Sequence, residues 1–341
     1  MKTRCFTLMN FLYLEVIKKW KKKLASQKRL WSAVVTVLTL LSFSGCGIIA
    51  QVNPDSAKLA VKIPIADLHF HPNSRLSPSE FKEWMDDNGV RWAGSGVRFG
   101  NPTMWREFSD ELGASFIAFA GQGELNSAYR QGGVSAMEDS EYPIVSGFLR
   151  QVDEDLKMGR VKGVGEIFVN NSHSNPNPDF RRKAKADAPT FRLLYQLIAQ
   201  YGAFLAFHME NESDSVEQME RLLASDRKGR ILWYHCGVNA SSNDIRILLA
   251  RHPNLFCGLA SRYLRRNSES DIFGAKWINP GWLKLIEEFP DRFLIGTDVL
   301  SRSEYDKAIN AVRSGLLPYL RPSTARKVAH ENAQYLFGLN K

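Results

Sequence analysis

Two histidines, His69 and His71, stand one residue apart at the close of a short apolar run, IADLHFHP over residues 65–72. Residues i and i+2 of a strand point to the same face, so both imidazoles reach one metal ion. Four more residues of ligating type follow, Glu166, His208, His235 and Asp298, each at, near or just past the end of its own apolar, strand-like segment. Neutral imidazole and carboxylate are the usual ligands of Zn, Mn, Fe and Ni. A site with open positions lets the metal bind water and lower its pKa towards neutrality. Taken singly, each residue has a plainer reading. His208 or His235 reads as a hydrogen-bonded core histidine, Glu166 within GVGEIFV as an arginine partner, and the GTD before Val299 as a turn into a helix cap. Their joint occurrence, in this order and at strand ends, points to a metal site. The other histidines fit the plain reading: His252 precedes a proline at a helix end, His330 lies on the C-terminal helix, and His173 sits in a polar loop.

The elements that must hold these residues alternate. Apolar runs rich in β-branched or aromatic residues occur near 62–69, 89–98, 115–120, 161–169, 203–208, 230–235, 254–260 and 292–298. Between them lie segments of helical spacing, among them SPSEFKEWMDD, TFRLLYQLIAQYG, SVEQMERLLAS, NDIRILLARHP and NPGWLKLIEEFP, several opening on Ser or Asn caps and closing at Gly or before Pro. Eight strands interleaved with helices predict a parallel α/β fold closed into a TIM (β/α)8 barrel, with all six residues on its C-terminal rim. The polar, Pro-rich stretch 171–189 reads as a long loop after strand four that overhangs that rim.

The chain has 341 residues, 44% of them hydrophobic, and a formal charge of +9. Residues 1–30 hold nine basic side chains against one acid, Glu15, so removing that +8 leaves about +1 for the rest. A nearly neutral fold argues against nucleic acid as a partner. A basic stretch before the uncharged run Trp31 to Phe43 has the shape of a secretory signal. Ser44-Gly45-Cys46 after it resembles the lipobox of bacterial lipoproteins, with Phe43 where leucine is usual; an initiation codon at Met9 would explain the long basic region. The resemblance implies lipidation at Cys46, and Gly47 implies an outer-membrane address. An uncleaved anchor is the alternative, although the apolar run falls short of the ~20 residues of a spanning helix. The expected organisation is a signal region over 1–45, a tether over 46–61 and a catalytic barrel over 62–341. Cys236 and Cys257 are expected to be buried free thiols.

DLHFHP, GEIFV, FHME, YHCG, GTDVL and the ending HENAQYLFGL together resemble the amidohydrolase superfamily of metal-dependent hydrolases over about residues 62–341. Within it, GEI, HCG and TD are similar to the TatD-type and the decarboxylase-like amidohydrolase-related branches. The TatD resemblance implies two divalent ions, one on His69, His71 and Asp298, the other on His208 and His235, with Glu166 shared. The decarboxylase-like branch implies one ion on His69, His71, His208 and Asp298, with His235 positioning the water. Glu210 stands where the TatD pattern has arginine, and Gly296 where it has glutamate. A rival family of polymerase-and-histidinol-phosphatase type would place histidine at Leu300.

The chemistry expected is attack by metal-activated water on an ester, lactone, amide or phosphoester of a small substrate. Asp298 takes the proton and His235 orients the water or steadies the oxyanion. Zinc leads the candidate metals, with Mn, Fe or Ni open, as one ion or two. Arg98 and Arg262, near strand ends, are candidate carboxylate or phosphate binders, and Trp105, Trp277 and Trp282 candidate pocket walls or core residues. A non-hydrolytic decarboxylase-like lyase and a silent tethered binding lipoprotein are the competing readings.

Overall fold

Eight parallel strands follow one another in sequence order around a single sheet: β1 (Ile65–Asp67), β2 (Val90–Ser95), β3 (Phe116–Gly121), β4 (Gly163–Asn170), β5 (Phe204–Met209), β6 (Ile231–Tyr234), β7 (Leu255–Gly258) and β8 (Phe293–Leu294). The computed structural model describes residues 50–71, 75–95, 104–175, 177–260, 272 and 278–339. Every pairing from β1–β2 to β7–β8 is parallel. The circle closes where the Leu68 amide donates to the Ile295 carbonyl at 2.8 Å. This is the expected TIM barrel.

Two apolar layers hold it. Inside the barrel, alternate strand residues such as Leu68, Ile117, Phe119, Phe204, Leu232 and Tyr234 form one buried cluster, as the two-residue period of strands requires. Phe337 of the helix Asn332–Phe337 packs on Phe204 and Phe119, with ring centroids 4.9 and 5.9 Å apart, and plugs the end away from the histidines. Outside, the strands pack on the connecting helices through a larger cluster that includes Phe81, Phe108, Phe191, Trp105 and Trp282. Trp105 and Trp282 are therefore core residues and not pocket walls, whereas Trp277 lies outside the described residues.

The expected helix signals operate as read. Ser77 Oγ caps Pro78–Asn88, and Gly89 ends it at φ 62°; Ser241 and Asp244 form a capping box for Ser242–Arg251. The segment expected as a tether differs. Pro54–Lys62 is a helix, capped by Asn53, whose small residues Ser56 and Ala60 are buried. A nine-residue helix with so short a buried stripe shows little periodicity, which is why its pattern escapes a sequence reading. Ser56 Oγ donates to the Leu320 carbonyl at 2.6 Å, and Arg313 donates to the carbonyls of Ala60, Ile63, Asn88 and Gly89 at 2.7 to 3.1 Å. One guanidinium thus ties this helix to the turn before β2. The targeting region, with Cys46, lies outside the described residues. Among the described residues no helix is long and apolar enough to cross a membrane.

Replacing Arg313 by Ala strips donors from four carbonyls and should cost about 2–4 kcal/mol, read as a fall in the denaturant midpoint at unchanged slope.

Candidate metal centre

The β1 segment leaves the sheet with Leu68 inward and delivers two imidazoles to the barrel's C-terminal mouth. His69 Nε2 and His71 Nε2 lie 2.9 Å apart. Glu166 Oε2 is 3.4 and 3.3 Å from them, and Asp298 Oδ1 is 3.6 and 3.1 Å. Donors bound to one ion at about 2.1 Å would stand about 3.0 Å apart across an octahedral edge and about 3.4 Å across a tetrahedral one. The observed separations match the edges of a coordination polyhedron, so this donor set fits a divalent metal.

The other oxygen of Glu166 faces a second pair of histidines. Oε1 is 2.9 Å from His208 Nδ1 and 3.2 Å from His235 Nε2, and those rings are 4.6 Å apart. One carboxylate therefore lies between two imidazole pairs, one oxygen to each. All six residues of the sequence reading converge here, but His208 meets the group through Glu166 and is not part of the close set His69, His71 and Asp298.

The local backbone explains how. Glu166 was expected near the end of β4, yet the strand runs on to Asn170. Its pairing with β5 is irregular between Val164 and Ile167, which turns Glu166 into the barrel from within the strand. Gly165 has φ 143°, and a Cβ there would stand 2.5 Å from the Ala206 carbonyl oxygen. His235 and Asp298 follow β6 and β8 with φ of 58° and 54°, Asp298 by itself and His235 at the head of a left-handed run that continues through Cys236, Gly237 and Val238. That left-handed conformation costs a non-glycine residue about 1–3 kcal/mol and is held by neighbours. The Asp298 amide donates to the His69 carbonyl at 2.6 Å, and His235 Nδ1 lies 3.2 Å from the Ala260 carbonyl.

Two residues absent from the sequence reading lock β8 to β1. Buried Asp67 accepts from the Thr297 amide at 2.9 Å, the Thr297 hydroxyl at 2.8 Å and the His69 amide at 3.2 Å. Burial pushes its carboxyl up to about 6 against these hydrogen bonds. The only sequence signal was an aspartate two residues before a histidine on the same strand face. The Tyr234 ring packs on His69 with centroids 3.9 Å apart and planes tilted by 31°, and its hydroxyl donates to the Leu68 carbonyl. Gly296 has a reason of its own: a Cβ there would lie 2.5 Å from His69 Cβ. A glutamate at this position cannot coexist with so close an approach.

Charge within the group is strongly redistributed. Burial lowers His69 to about 4 despite the pull of Glu166 and Asp298, which favours the neutral, ligating form. Burial also opposes charge on His71, but hydrogen bonds to Asp298 and Glu166 outweigh it and raise the pKa to about 9. Glu166 stays ionised because His69, His208 and His235 overcome its burial. Asp298 is likewise held far below the carboxylate range against burial, by His69, His235 and His71. The side chains of His69, His71 and Glu166 are at most 2% exposed, whereas Asp298 is 23% exposed and His208 15%. Asp298 is thus the carboxylate that meets whatever enters.

The loop after β4 does overhang the rim. Glu210, just past the end of β5, accepts the backbone amides of His173 and Ser174 at 2.9 and 2.5 Å, which brings Ser174 Oγ to 3.3 Å from His208 Nε2. Glu210 is therefore a loop anchor where the TatD pattern carries arginine. Arg98 and Arg262 lie outside the described residues. Cys236 and Cys257 are buried and not joined to each other by a disulfide, as expected. His252 is tied to Glu220 at 2.8 Å and His330 to Gln334 at 2.7 Å, away from the centre.

Thr297→Val removes one hydrogen bond to Asp67 without touching a ligating side chain. It should cost about 1–2 kcal/mol of stability and weaken metal binding about tenfold, measured by chelator competition.

No curated protein matches the sequence. The barrel is similar to 2,6-dihydroxybenzoate decarboxylase from Rhizobium (TM-score 0.50, 13% identity, 82% of this chain and 99% of that one). It is also similar to a dihydroxybenzoic acid decarboxylase from a Polaromonas species, with bound manganese and the inhibitor 2-nitroresorcinol (0.51, 13%, 82% and 98%). A third likeness is an amidohydrolase from Burkholderia multivorans with bound HEPES (0.50, 14%, 81% and 99%). At such identities the likeness is one of fold. The family model described as Amidohydrolase matches residues 128–339, a stretch that carries Glu166, His208, His235 and Asp298, and the chain belongs to that family.

Proposed function

We propose that this protein is a metal-dependent hydrolase that uses activated water on an ester, lactone, amide or phosphoester of a small substrate. The observation that carries the reading is Glu166, with Oε2 turned to His69 and His71 and Oε1 to His208 and His235. A carboxylate so placed suits a centre of two ions, the TatD-like arrangement: His69, His71 and Asp298 would hold one, His208 and His235 the other, and Glu166 both. Zinc suits this imidazole and carboxylate set, as do Mn, Fe and Ni. When bound, such ions supply Lewis acidity and lower the pKa of water.

The chain's own residues do the rest. Asp298, ionised and open to the mouth, accepts the proton from the attacking water through its carboxylate. His235, whose Nδ1 is turned to the Ala260 carbonyl, keeps Nε2 beside Glu166 for the ion it would share with His208; in the one-ion alternative the same nitrogen would orient the water. Asp67 and Thr297 keep Asp298 from turning away. We further propose, from the sequence alone, that the barrel is exported and tethered to a membrane through Cys46.

Elemental analysis of the purified protein should find two equivalents of a divalent metal, falling to about one in Glu166→Gln. Asp298→Asn should keep the fold and lose at least about a thousandfold in kcat on whichever ester, lactone or phosphoester the wild type cleaves. Release of CO2 from 2,6-dihydroxybenzoate with one equivalent of metal and no hydrolysis would replace this reading by the decarboxylase-like one. A protein that takes up no metal would leave the silent binding lipoprotein.

A further inference from the structure

His208 has a partner on each ring nitrogen. Nδ1 lies 2.9 Å from Glu166 Oε1, the oxygen that also stands 3.2 Å from His235 Nε2, whereas Nε2 lies 3.3 Å from Ser174 Oγ. The Phe168 ring packs against the imidazole with centroids 5.0 Å apart. Ser174 belongs to the loop after β4, and it is fixed there from the strand end that carries His208. Glu210, two residues on from His208 and itself buried, accepts the Ser174 amide at 2.5 Å and the His173 amide at 2.9 Å through Oε1. The start of the loop is held separately: Asn170, buried at the end of β4, accepts the Ser172 amide at 3.2 Å and the Ser172 hydroxyl at 2.8 Å. The end of β5 therefore meets Ser174 twice, at its amide and at its hydroxyl.

A neutral imidazole offers a cation one nitrogen, and the hydrogen bond at the other nitrogen decides which. His208 Nδ1 faces the bridging carboxylate, whose Oε1 it shares with His235 Nε2 at distances close to a polyhedron edge, so Nδ1 is the ligating atom and Nε2 the one that must carry the ring proton. A serine hydroxyl beside Nε2 accepts the hydrogen bond from that proton. His235 is served in the mirror sense, with Nδ1 at 3.2 Å from the Ala260 carbonyl and Nε2 left for the ion. The two outer partners differ in kind. Ala260 is backbone immediately past β7, whereas Ser174 is a side chain on a loop, so the orientation of His208 depends on where that loop lies. The His208 side chain is 15% exposed, which lets water stand in for a lost hydroxyl. Its loss therefore belongs at the low end of the roughly ten- to hundredfold effects of outer partners on metal affinity.

We propose that Ser174 is a positioning residue of the metal centre, whose hydroxyl holds His208 with Nδ1 towards the ion and so ties ion binding to the placement of the loop after β4. The assignment deepens the proposed function and rests on it only for an ion at His208, which the two-ion and the one-ion arrangements share. The coupling is reciprocal: an ion on His208 steadies the loop, and a loop drawn off the rim loosens the ion. Nothing in the sequence separates Ser174 from the other polar residues of 171–189, because Glu210 and His208 lie 36 and 34 residues further on.

The test is zinc affinity, read by competition with a chromogenic chelator, in the full chain as wild type and as Ser174→Ala, Ser174→Thr and Ser172→Ala. Ser174→Ala should weaken one ion about tenfold and leave a second ion, where two bind, unchanged, while the Tm of the metal-free protein stays level. Ser174→Thr, which keeps a hydroxyl, should recover most of the loss. Ser172→Ala, which loosens the start of the loop while Glu210 still holds Ser174, should bind zinc as wild type does. Hydrogen exchange at the His173 and Ser174 amides should slow on zinc loading in wild type and not in Ser174→Ala, a response that a hydroxyl of purely structural use would not give. Equal affinity in wild type and Ser174→Ala, a loss of the same size in Ser172→Ala, no recovery in Ser174→Thr, or loop exchange in wild type that ignores zinc would overturn the proposal. Zinc refused by wild type would defeat the proposed function and this assignment with it, whereas zinc bound alike by wild type and Ser174→Ala would defeat this assignment alone.

Discussion

The seam where β8 meets β1 is the contact on which the centre depends. The amides of Thr297 and Asp298 both reach the His69 carbonyl, at 2.9 and 2.6 Å, and Asp67 binds Thr297 twice more. These bonds close the barrel and, with the same atoms, bring His69 after β1 and Asp298 after β8 into one group. They also hold Asp298 at a positive φ that it would not keep unaided. Barrel closure and site assembly rest on the same bonds, because the residues that make the final strand pairing flank those that converge at the centre.

Around that seam, the barrel supplies a low-dielectric enclosure that sets the chemistry. Burial favours the neutral form of His69, while the carboxylates of Glu166 and Asp298 remain ionised against burial by the surrounding imidazoles. Neutral His69 and the two ionised carboxylates are in the forms a cation binds, whereas the proton that Asp298 and Glu166 favour on His71 would leave when an ion binds. The graded exposure, with Glu166 sealed and Asp298 open to the mouth, separates a carboxylate suited to holding ions from one suited to moving a proton. Two residues of the same type acquire different tasks from their surroundings.

The loop after β4 adds a second layer. Glu210 anchors it from just past β5, Ser174 reaches His208, and the Arg182 guanidinium packs over Tyr129 and donates to Asn126. A segment with almost no regular structure is thus positioned over the rim by rigid strands on either side.

The sequence by itself determined the eight-strand alternation, the caps of several helices and the identity of all six residues at the centre. These properties follow from local periodicity and from side-chain chemistry repeated at strand ends. It did not determine that Glu166 sits inside β4 rather than near its end, since an irregular register leaves no mark on composition. Nor did it show that Pro54–Lys62 is a helix, whose buried stripe is too short to stand out. The roles of Asp67 and Thr297 required the tertiary structure, because each depends on a partner far away in sequence: the two are 230 residues apart. Gly296 makes the point most simply. In the chain it is a small residue before a threonine, and only the approach of His69 to its Cα shows why nothing larger fits.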